Sequence, residues 1–299
     1  MGKRKQIKIK QKLRVRIFFD GYKTQQLNDW FKTMINLADS ECTFVCDNTY
    51  NFAILINTTI PKKLTCSTEN TIGLAWEPLK LLKLTPKFIM FAKNNISKYY
   101  ISETNRQNLP PCFVKHYQYL LHNPIIDNFI SFNDKPKHMS FILSGKAFMI
   151  GHRYRHSLFN RLIKTDLPID FYGRDMKVGE YLGIKDDRIK GPFKERECYI
   201  DYKFSIAIEN CISGFYVSEK YTNCIINNTI PVYCGSSKIQ DIFGENFGIK
   251  MIGNITKDVE LMTDISKNPE KYYRDLTEPL NEIKSGKANI RNILPISDN

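Results

Sequence analysis

The chain has 299 residues, of which 42% are hydrophobic and 25% charged, and its net charge is +13. This length favours two domains, and the composition excludes a collagen-like or globally disordered protein. No apolar run approaches the roughly 18 to 20 residues of a membrane span, and no apolar segment follows the basic N-terminus as in a secretory signal. We therefore expect a soluble, cytoplasmic protein.

Positive charge is concentrated in an N-terminal arm. Eight of the first sixteen residues are Lys or Arg, and none is acidic. Removing these eight from the 44 basic residues leaves 36 against 31 acidic ones, so the rest of the chain carries a surplus of only five. Such a charge block is typically a solvated tail, and the alternative is contact with an anionic membrane surface. Nucleic acid is not an expected partner.

Eight cysteines are scattered along the chain without a Cys-x-x-Cys pair. Several, such as Cys46 and Cys234, lie in apolar runs, where a free thiol behaves as a small hydrophobic side chain. The pattern predicts reduced cysteines and not a disulfide framework.

The first half alternates predicted strands with a predicted helix. Four short apolar runs predict strands, namely residues 13–19, 43–46, 52–56 and 88–91. Apolar residues recur at helical spacing over residues 29–37. The polar stretch 131–138 then interrupts the pattern and is predicted to be a linker.

The second half repeats this rhythm. Strands are predicted over residues 140–143, 169–172, 202–208 and 230–234, and helices over residues 155–164 and 219–227. Strands that alternate with helices of this length predict parallel sheets and an α/β fold. Because one linker joins the two units, we expect two facing Rossmann-like domains with a cleft between them. The N-terminal domain is predicted to span residues 1–135 and the C-terminal domain residues 136–299.

Several known site signatures are absent from the sequence. It contains no Gly-x-Gly-x-x-Gly, no Walker A loop and no Gly-x-Ser-x-Gly elbow. It also lacks Asp-x-Asp, so a metal-dependent diphosphate site built on that motif is not predicted. His152 and His156 have i, i+4 spacing, but Arg153 and Arg155 between them favour a basic surface over a metal pair.

The segment after the predicted strand 202–208 is the most informative part of the chain. The strand ends in Glu209 and Asn210, a glycine-bearing loop follows, and a helix is predicted to begin at Ser218. Ligands bind at the carboxyl ends of parallel strands, and free N–H groups at a helix start attract phosphate. Lys220 would add a full positive charge there. Ordinary helix capping by Ser218 explains the same residues equally well, so both interpretations stay open on chemistry alone.

Three short motifs follow one another in this region: Tyr-Lys-Phe at 202–204, Glu-Asn at 209–210 and Tyr-Val-Ser-Glu-Lys at 216–220. In this order and spacing they resemble the signature of the alpha-1,3-fucosyltransferase family (glycosyltransferase family 10), and the match runs on to residue 236. Cys211 and Ser218 are small departures from the family's usual Ser or Thr. The resemblance implies a GT-B fold, an inverting glycosyltransferase and GDP-fucose as the donor substrate.

The same resemblance assigns roles to residues on the donor side. Arg155 is implied to contact the diphosphate, with Arg153 as the alternative. Lys220 is implied to neutralise the diphosphate as well. The residues implied to contact the sugar or the nucleotide are Asn210, Tyr216 and Glu219.

Trp76-Glu77-Pro78 resembles the family element that carries the proposed general base, which implies that Glu77 takes the acceptor proton. The spacing between Glu and Pro is shorter than in the family, and Glu69 is the second candidate. The apolar run 88–91 lies downstream of Glu77 as the corresponding run does in the family, which favours Glu77. Burial beside Trp76 would raise the pKa of this carboxyl toward working pH, whereas the alternative is an exposed loop acid.

The resemblance therefore implies an inverting transferase that moves L-fucose from GDP-fucose to a glycan hydroxyl, and the residue types suit this reaction. No cofactor is expected to be required, although a divalent metal would be stimulatory. The first alternative is a GT-B transferase that uses a different nucleotide sugar, because a fold does not fix the substrate. The second alternative is a noncatalytic protein of the same fold that binds glycan or nucleic acid. Intact Glu219 and Lys220 favour a catalytic protein.

Overall fold

The computed structural model describes residues 12–21, 23–35, 42–104, 108–116, 124–125, 128–173, 183–194, 196–212, 214–286 and 289–295. The first eleven residues of the basic arm lie outside these ranges, so its contact with a membrane stays a prediction. Within the described part, no helix has the length and apolar character needed to cross a membrane. All eight cysteines are free thiols, as the sequence predicted, and most of them are buried.

The first half forms a six-stranded parallel sheet in the order β2-β1-β3-β4-β5-β6. Its strands are β1 (Leu13–Phe18), β2 (Cys42–Phe44), β3 (Phe52–Ile56), β4 (Thr71–Leu74), β5 (Lys98–Ile101) and β6 (Phe113–Lys115). Its helices are α1 (Thr24–Ile35), α2 (Leu79–Leu82) and α3 (Pro86–Asn95), and a 3₁₀ turn spans Thr68–Asn70. Every residue of β3 and β4 is buried, as expected for parallel strands covered on both faces. The strand order reverses between β1 and β3.

The predicted strand at residues 88–91 is wrong, because this run lies inside helix α3. Thr85 caps the helix by accepting a hydrogen bond from the Phe88 amide at 3.2 Å, and Pro86 occupies its first turn. Phe88 and Ala92, one helical turn apart, are the buried residues of this helix. A four-residue apolar run does not reveal its period, so the cap and the proline decide the structure.

The second half forms another six-stranded parallel sheet, in the order β12-β11-β10-β7-β8-β9. Its strands are β7 (Lys137–Leu143), β8 (Ile169–Gly173), β9 (Ile189–Gly191), β10 (Tyr202–Ile208), β11 (Ile230–Cys234) and β12 (Ile249–Lys250). Its helices are α4 (Ile150–Leu162), α5 (Glu219–Ile225), α6 (Ile239–Phe243), α7 (Ile255–Lys267) and α8 (Thr277–Ser285), with 3₁₀ turns at Pro269–Tyr272 and Ile290–Ile293.

This second sheet has a Rossmann topology. Counted from β7, its strands stand in the order 3-2-1-4-5-6, and the order reverses between β7 and β10. The predicted α/β class with two parallel-sheet units is therefore confirmed. The predicted linker 131–138 is too long, since β7 already begins at Lys137. The 3₁₀ turn Ile290–Ile293 packs back against α1 of the first half. The exact boundary at residue 135 stays a prediction.

Lys135 fixes the segment between the two sheets. Only 3% of this residue is exposed, and its ammonium group donates to the Ile200 carbonyl at 2.6 Å, the Asn227 carbonyl at 3.1 Å and the Thr229 hydroxyl at 3.3 Å. These three acceptors match the three donors of an ammonium group. Burial lowers the pKa of Lys135 to about 8. The charged form is therefore held in place at a cost in desolvation.

Because Lys135 is buried, we expect the free energy of unfolding to rise with pH. Its pKa is lower in the folded protein than in the unfolded chain, so the cost of burying the charge is present below about pH 8 and disappears toward pH 10.5. Between about pH 7.5 and 9.5, this single group should raise the free energy of unfolding by about 1 to 2 kcal/mol. Urea unfolding of wild type and Lys135→Met at both pH values measures the effect. Equal pH dependence in the two proteins would contradict it.

Candidate active site

The reversal points of the two sheets open onto one cavity of about 760 Å³. The first half contributes the residues that follow β1, β3 and β4, and the second half contributes the ends of β7 and β10 with the first turns of α4 and α5. Ligands of open α/β sheets bind at such points, outside the carboxyl ends of the strands. The cleft predicted between the two units is therefore present, and both of its walls carry polar side chains.

Glu209, at the end of β10, ties this strand to the start of α5. It is 1% exposed, and its carboxylate accepts from the Ser218 amide at 2.7 Å and from the Ser218 hydroxyl at 2.5 Å. The Ser218 hydroxyl oxygen in turn accepts from the Lys220 amide at 3.3 Å, which caps the helix. Burial raises the pKa of Glu209. This carboxylate therefore positions the loop end from which Glu219 and Lys220 reach the cavity.

Glu219 and Lys220 form an ion pair at the beginning of α5. The Lys220 ammonium lies 2.7 Å from a Glu219 carboxylate oxygen and 3.3 Å from the Ser218 hydroxyl. Both side chains line the cavity and keep a partly exposed surface there. The capping predicted for Ser218 and the placement of Lys220 at a ligand cavity thus occur together. The two sequence interpretations were not exclusive.

Asn210 connects the end of β10 to helix α4. Its side-chain oxygen accepts from an Arg155 guanidinium nitrogen at 2.6 Å and from the His152 Nε2 at 2.9 Å. The Nδ1 of His152 accepts from the Met149 amide at 3.3 Å, so the ring proton sits on Nε2. Burial and the charge of Arg155 lower the pKa of His152 to about 4. A neutral His152 therefore helps Asn210 orient Arg155.

Gly151 allows this arrangement because α4 and the end of β10 nearly touch. Its amide donates to the Asn210 carbonyl at 3.0 Å, and a Cβ at this position would lie 1.8 Å from the Glu209 carbonyl oxygen. Only glycine fits such a close approach. The sequence contained no local signal for this role, because the contact joins segments far apart in the chain.

The structure separates the two candidate arginines. Arg155 is 5% exposed and lines the cavity, with Glu209, Glu219 and Tyr216 as its charged and polar neighbours. Arg153 is exposed, and its guanidinium donates to the Phe148 carbonyl at 3.1 Å. Two residues apart, these arginines lie on opposite faces of α4, so one enters the cavity and the other stays at the surface.

Two further side chains of this wall bear on the sequence predictions. Tyr216 is buried and lines the cavity, and the partly exposed Asn210 and Glu219 line it as well. His156 turns to the Ser144 carbonyl at 3.0 Å and does not meet His152. Among the residues that the structure describes, no group of three or more His, Cys, Asp and Glu could hold a metal ion.

Lys146 is a cavity residue that the sequence predictions missed. It lies in the exposed turn after β7 and lines the same cavity as Lys220. Its charge is close enough to act on the pKa of both His152 and Glu77. Together with Arg155 and Lys220 it makes this side of the cleft cationic. Its only sequence signal was its place immediately after a predicted strand.

The opposite wall is built on Asn57, at the end of β3. Its backbone is in the left-handed region, with a φ of 54°, and its side-chain oxygen accepts from the Trp76 amide at 2.8 Å and the Glu77 amide at 3.3 Å. The Tyr99 hydroxyl donates to the Asn57 carbonyl at 2.7 Å. Trp76 itself stacks on Phe31 with ring centroids 5.5 Å apart. These contacts hold Glu77 at the rim of the cavity.

Glu77 faces the charged residues of the other wall. It is half-buried, and burial raises the pKa of its carboxyl. The negative charge of Glu219 raises this pKa further, while Lys220 and Lys146 lower it. Desolvation is the largest cause, as expected for a carboxyl next to a buried tryptophan. The result is a carboxylate more basic than a solvated one.

Glu69 lies elsewhere. It belongs to the exposed 3₁₀ turn Thr68–Asn70, which precedes β4, whereas Glu77 follows that strand. The two acids are therefore at opposite edges of the first sheet, and the cavity adjoins only the edge of Glu77. Hydrogen bonds to its own backbone amide and to Ser67 lower the pKa of Glu69.

Comparison with known proteins agrees with the motif resemblance. The profile of glycosyltransferase family 10 (fucosyltransferase), C-terminal part, matches residues 132–275. A protein of Acanthamoeba polyphaga mimivirus that is named as a fucosyltransferase is 31% identical to this chain over 145 residues, which are 45% of this chain and 23% of that protein. Alpha-(1,3)-fucosyltransferase B of Drosophila melanogaster is 28% identical over 187 residues, 58% of this chain and 38% of the enzyme. The chain thus spans well under half the length of these relatives.

Solved structures share the fold. A crystal structure of alpha1,3-fucosyltransferase with GDP superposes with a TM-score of 0.54 at 12% identity, covering 96% of this chain and 85% of that one. The crystal structure of alpha1,3-fucosyltransferase with GDP-fucose superposes with a TM-score of 0.52 at 13% identity, covering 92% of this chain and 82% of that one. The crystal structure of TarM superposes with a TM-score of 0.50 at 14% identity, covering 81% of this chain and 54% of that one. The predicted GT-B fold is confirmed.

Because of the close contact at Gly151, we expect the stability of the protein to be sensitive to a single added methyl group there. Gly151→Ala places a Cβ against the Glu209 carbonyl, so α4 must move away from the end of β10. Overpacking of this kind should lower the free energy of unfolding by about 2 to 4 kcal/mol. Gly214→Ala is the matched control, since nothing lies within 4 Å of a Cβ there. Urea unfolding measures both variants, and equal stability of the two would contradict the close contact.

Proposed function

Since residues 132–275 match the profile of glycosyltransferase family 10 (fucosyltransferase), C-terminal part, we propose that the protein transfers L-fucose from GDP-fucose to a glycan hydroxyl with inversion at the anomeric carbon. The observation that carries this proposal is the arrangement of charge across the cleft. Glu77, a carboxylate with a raised pKa, stands on one wall, and the cations Arg155, Lys220 and Lys146 stand on the other. Inverting transfer of a sugar from a nucleotide diphosphate needs both features.

On the donor side, Arg155 and Lys220 would neutralise the diphosphate that leaves. Arg155 suits this role because Asn210 fixes its guanidinium in a buried position, so little reorganisation is needed during the reaction. Lys220 would exchange part of its contact with Glu219 for a phosphate oxygen. The remaining residues proposed to contact the sugar or the nucleotide are Asn210, Tyr216 and Glu219.

On the acceptor side, Glu77 would act as the general base. The acceptor oxygen attacks the anomeric carbon as the bond from that carbon to the diphosphate oxygen breaks on the opposite face. The acceptor proton passes to the Glu77 carboxylate, and the electron pair of the broken bond stays with the diphosphate. A raised pKa makes the carboxylate a better proton acceptor, while Asn57 keeps the backbone of Glu77 in place.

Positive charge for the leaving group comes from the protein in this proposal. Three cationic side chains line the same cavity, namely Arg155, Lys220 and Lys146. We therefore propose that no cofactor is required and that a divalent ion would only stimulate turnover by binding the diphosphate. Use of a different nucleotide sugar, or binding without catalysis, are the alternatives that the experiments below distinguish.

Glu77→Gln tests the base. The substitution keeps the shape of the side chain but removes its basicity, so GDP release from GDP-fucose in a mixture of glycan acceptors should fall by about 10²- to 10⁴-fold. Affinity for GDP should stay nearly unchanged, because the donor contacts lie on the other wall. Glu69→Gln is the matched control and should leave both quantities unaltered. A loss in Glu69→Gln, or full activity in Glu77→Gln, would refute the assignment.

A further inference from the structure

A second cavity of about 580 Å³ adjoins the first one. Glu77 and Asn210 line the first cavity, and the residues that follow them, Pro78 and Cys211, line the second. On both walls of the cleft, the lining of the second cavity therefore continues along the chain from that of the first. A molecule seated in the second cavity would be adjacent to the Glu77 carboxylate.

The second cavity has an apolar floor shared between the two halves of the protein. Its apolar lining residues are Pro78, Leu79, Leu84, Pro86 and Ile212. Ile212 is 62% exposed, which is unusual for a large apolar side chain. Ligand pockets are commonly lined by apolar groups with a few polar ones that fix orientation. The C–H face of a sugar ring could pack on such a surface while its polar substituents face the rim.

The rim carries unpaired positive charge. Lys80 and Lys83 line the cavity, and within the described part of the chain neither forms a hydrogen bond or an ion pair. Glu103, the acidic residue of the lining, already accepts from the Gly214 amide at 3.4 Å. Lys80 also lies close enough to Cys211 to lower the pKa of its thiol, against the larger effect of burial, which raises it. Two lysines and one glutamate give the lining of this cavity a net positive charge.

We propose that this cavity is the acceptor subsite and that it selects glycans with an anionic group, a carboxylate or a sulfate ester. The inference rests on the proposed transferase function. The reacting hydroxyl would lie at Glu77, the neighbouring sugar on the apolar floor, and the anionic group between Lys80 and Lys83. Because the cations that face the nucleotide lie in the first cavity, this second pair of cations is available to the acceptor.

The test uses the full chain saturated with GDP and an array of glycan pairs that differ only in one carboxylate or one sulfate. We expect preferential retention on the charged members of at least one of these pair types. Lys80→Gln/Lys83→Gln should reduce that preference by about five- to tenfold, the usual worth of two exposed charge contacts. Lys93→Gln/Lys98→Gln, which removes two exposed charges on the last turn of α3 and the first residue of β5, should leave it unchanged.

Separate readouts distinguish the two levels of the proposal. Binding of GDP, measured first by calorimetry, tests the nucleotide site and is expected to be equal in all three proteins. Failure to bind GDP would defeat the proposed function itself. With GDP bound, equal retention of neutral and charged glycans, or a preference that survives in Lys80→Gln/Lys83→Gln, would overturn the acceptor subsite. Retention of carboxylated but not sulfated members, or the reverse, would identify the anionic group.

Discussion

The close approach of helix α4 to the end of β10 is the contact on which the cationic wall of the cleft depends. At this point the Asn210 carbonyl accepts a hydrogen bond from the Gly151 amide. The side-chain oxygen of Asn210 accepts hydrogen bonds from Arg155 and His152. The preceding residue, Glu209, holds the start of α5 through Ser218. Two consecutive residues at the reversal point of the second sheet therefore position the two helices that carry Arg155 and Lys220.

The buried polar groups at this contact all need hydrogen-bond partners. Glu209, Arg155 and His152 are almost completely removed from solvent, and each has its hydrogen bonds within the cluster. Loss of one partner would leave another buried group unsatisfied, which costs more than the lost bond itself. A neutral His152 suits the cluster because a second positive charge beside Arg155 would be repelled.

In the first half, Asn57 supports the opposite wall of the cleft through different contacts. Asn57, also placed where the strand order reverses, uses a left-handed backbone and its side-chain oxygen to fix the Trp76–Glu77 turn. The proposed base and the cations thus belong to separate sheets, each with its own supporting contacts. The distance between the two walls, and so the reaction geometry, depends on how the two halves pack together.

Sequence reasoning succeeded where the signal was local. Strands β10 and β11 are rich in apolar and aromatic residues, and the motif after β10 predicted the residues that the structure brings to the cleft. Strands β4, β5, β6, β9 and β12 were not predicted. Of these, β9 and β12 have only three and two residues and lack a buried run. The helical run 88–91 was too short to show its period. Gly151 and Asn57 were missed because their partners are distant in the chain, and Arg153 could not be separated from Arg155 without knowing which face of α4 is buried.

The melting temperature in the presence of different nucleotides tests the central claim, that this cleft is a GDP-fucose site. At about 100 times its dissociation constant, GDP-fucose or GDP should stabilise the protein by about 2.7 kcal/mol, which raises the melting temperature by about 5 to 10 °C. UDP and CMP nucleotides should give a much smaller shift, and Lys220→Ala should reduce the response to GDP. A clear preference for a UDP sugar, or no response to any of these nucleotides, would contradict the account.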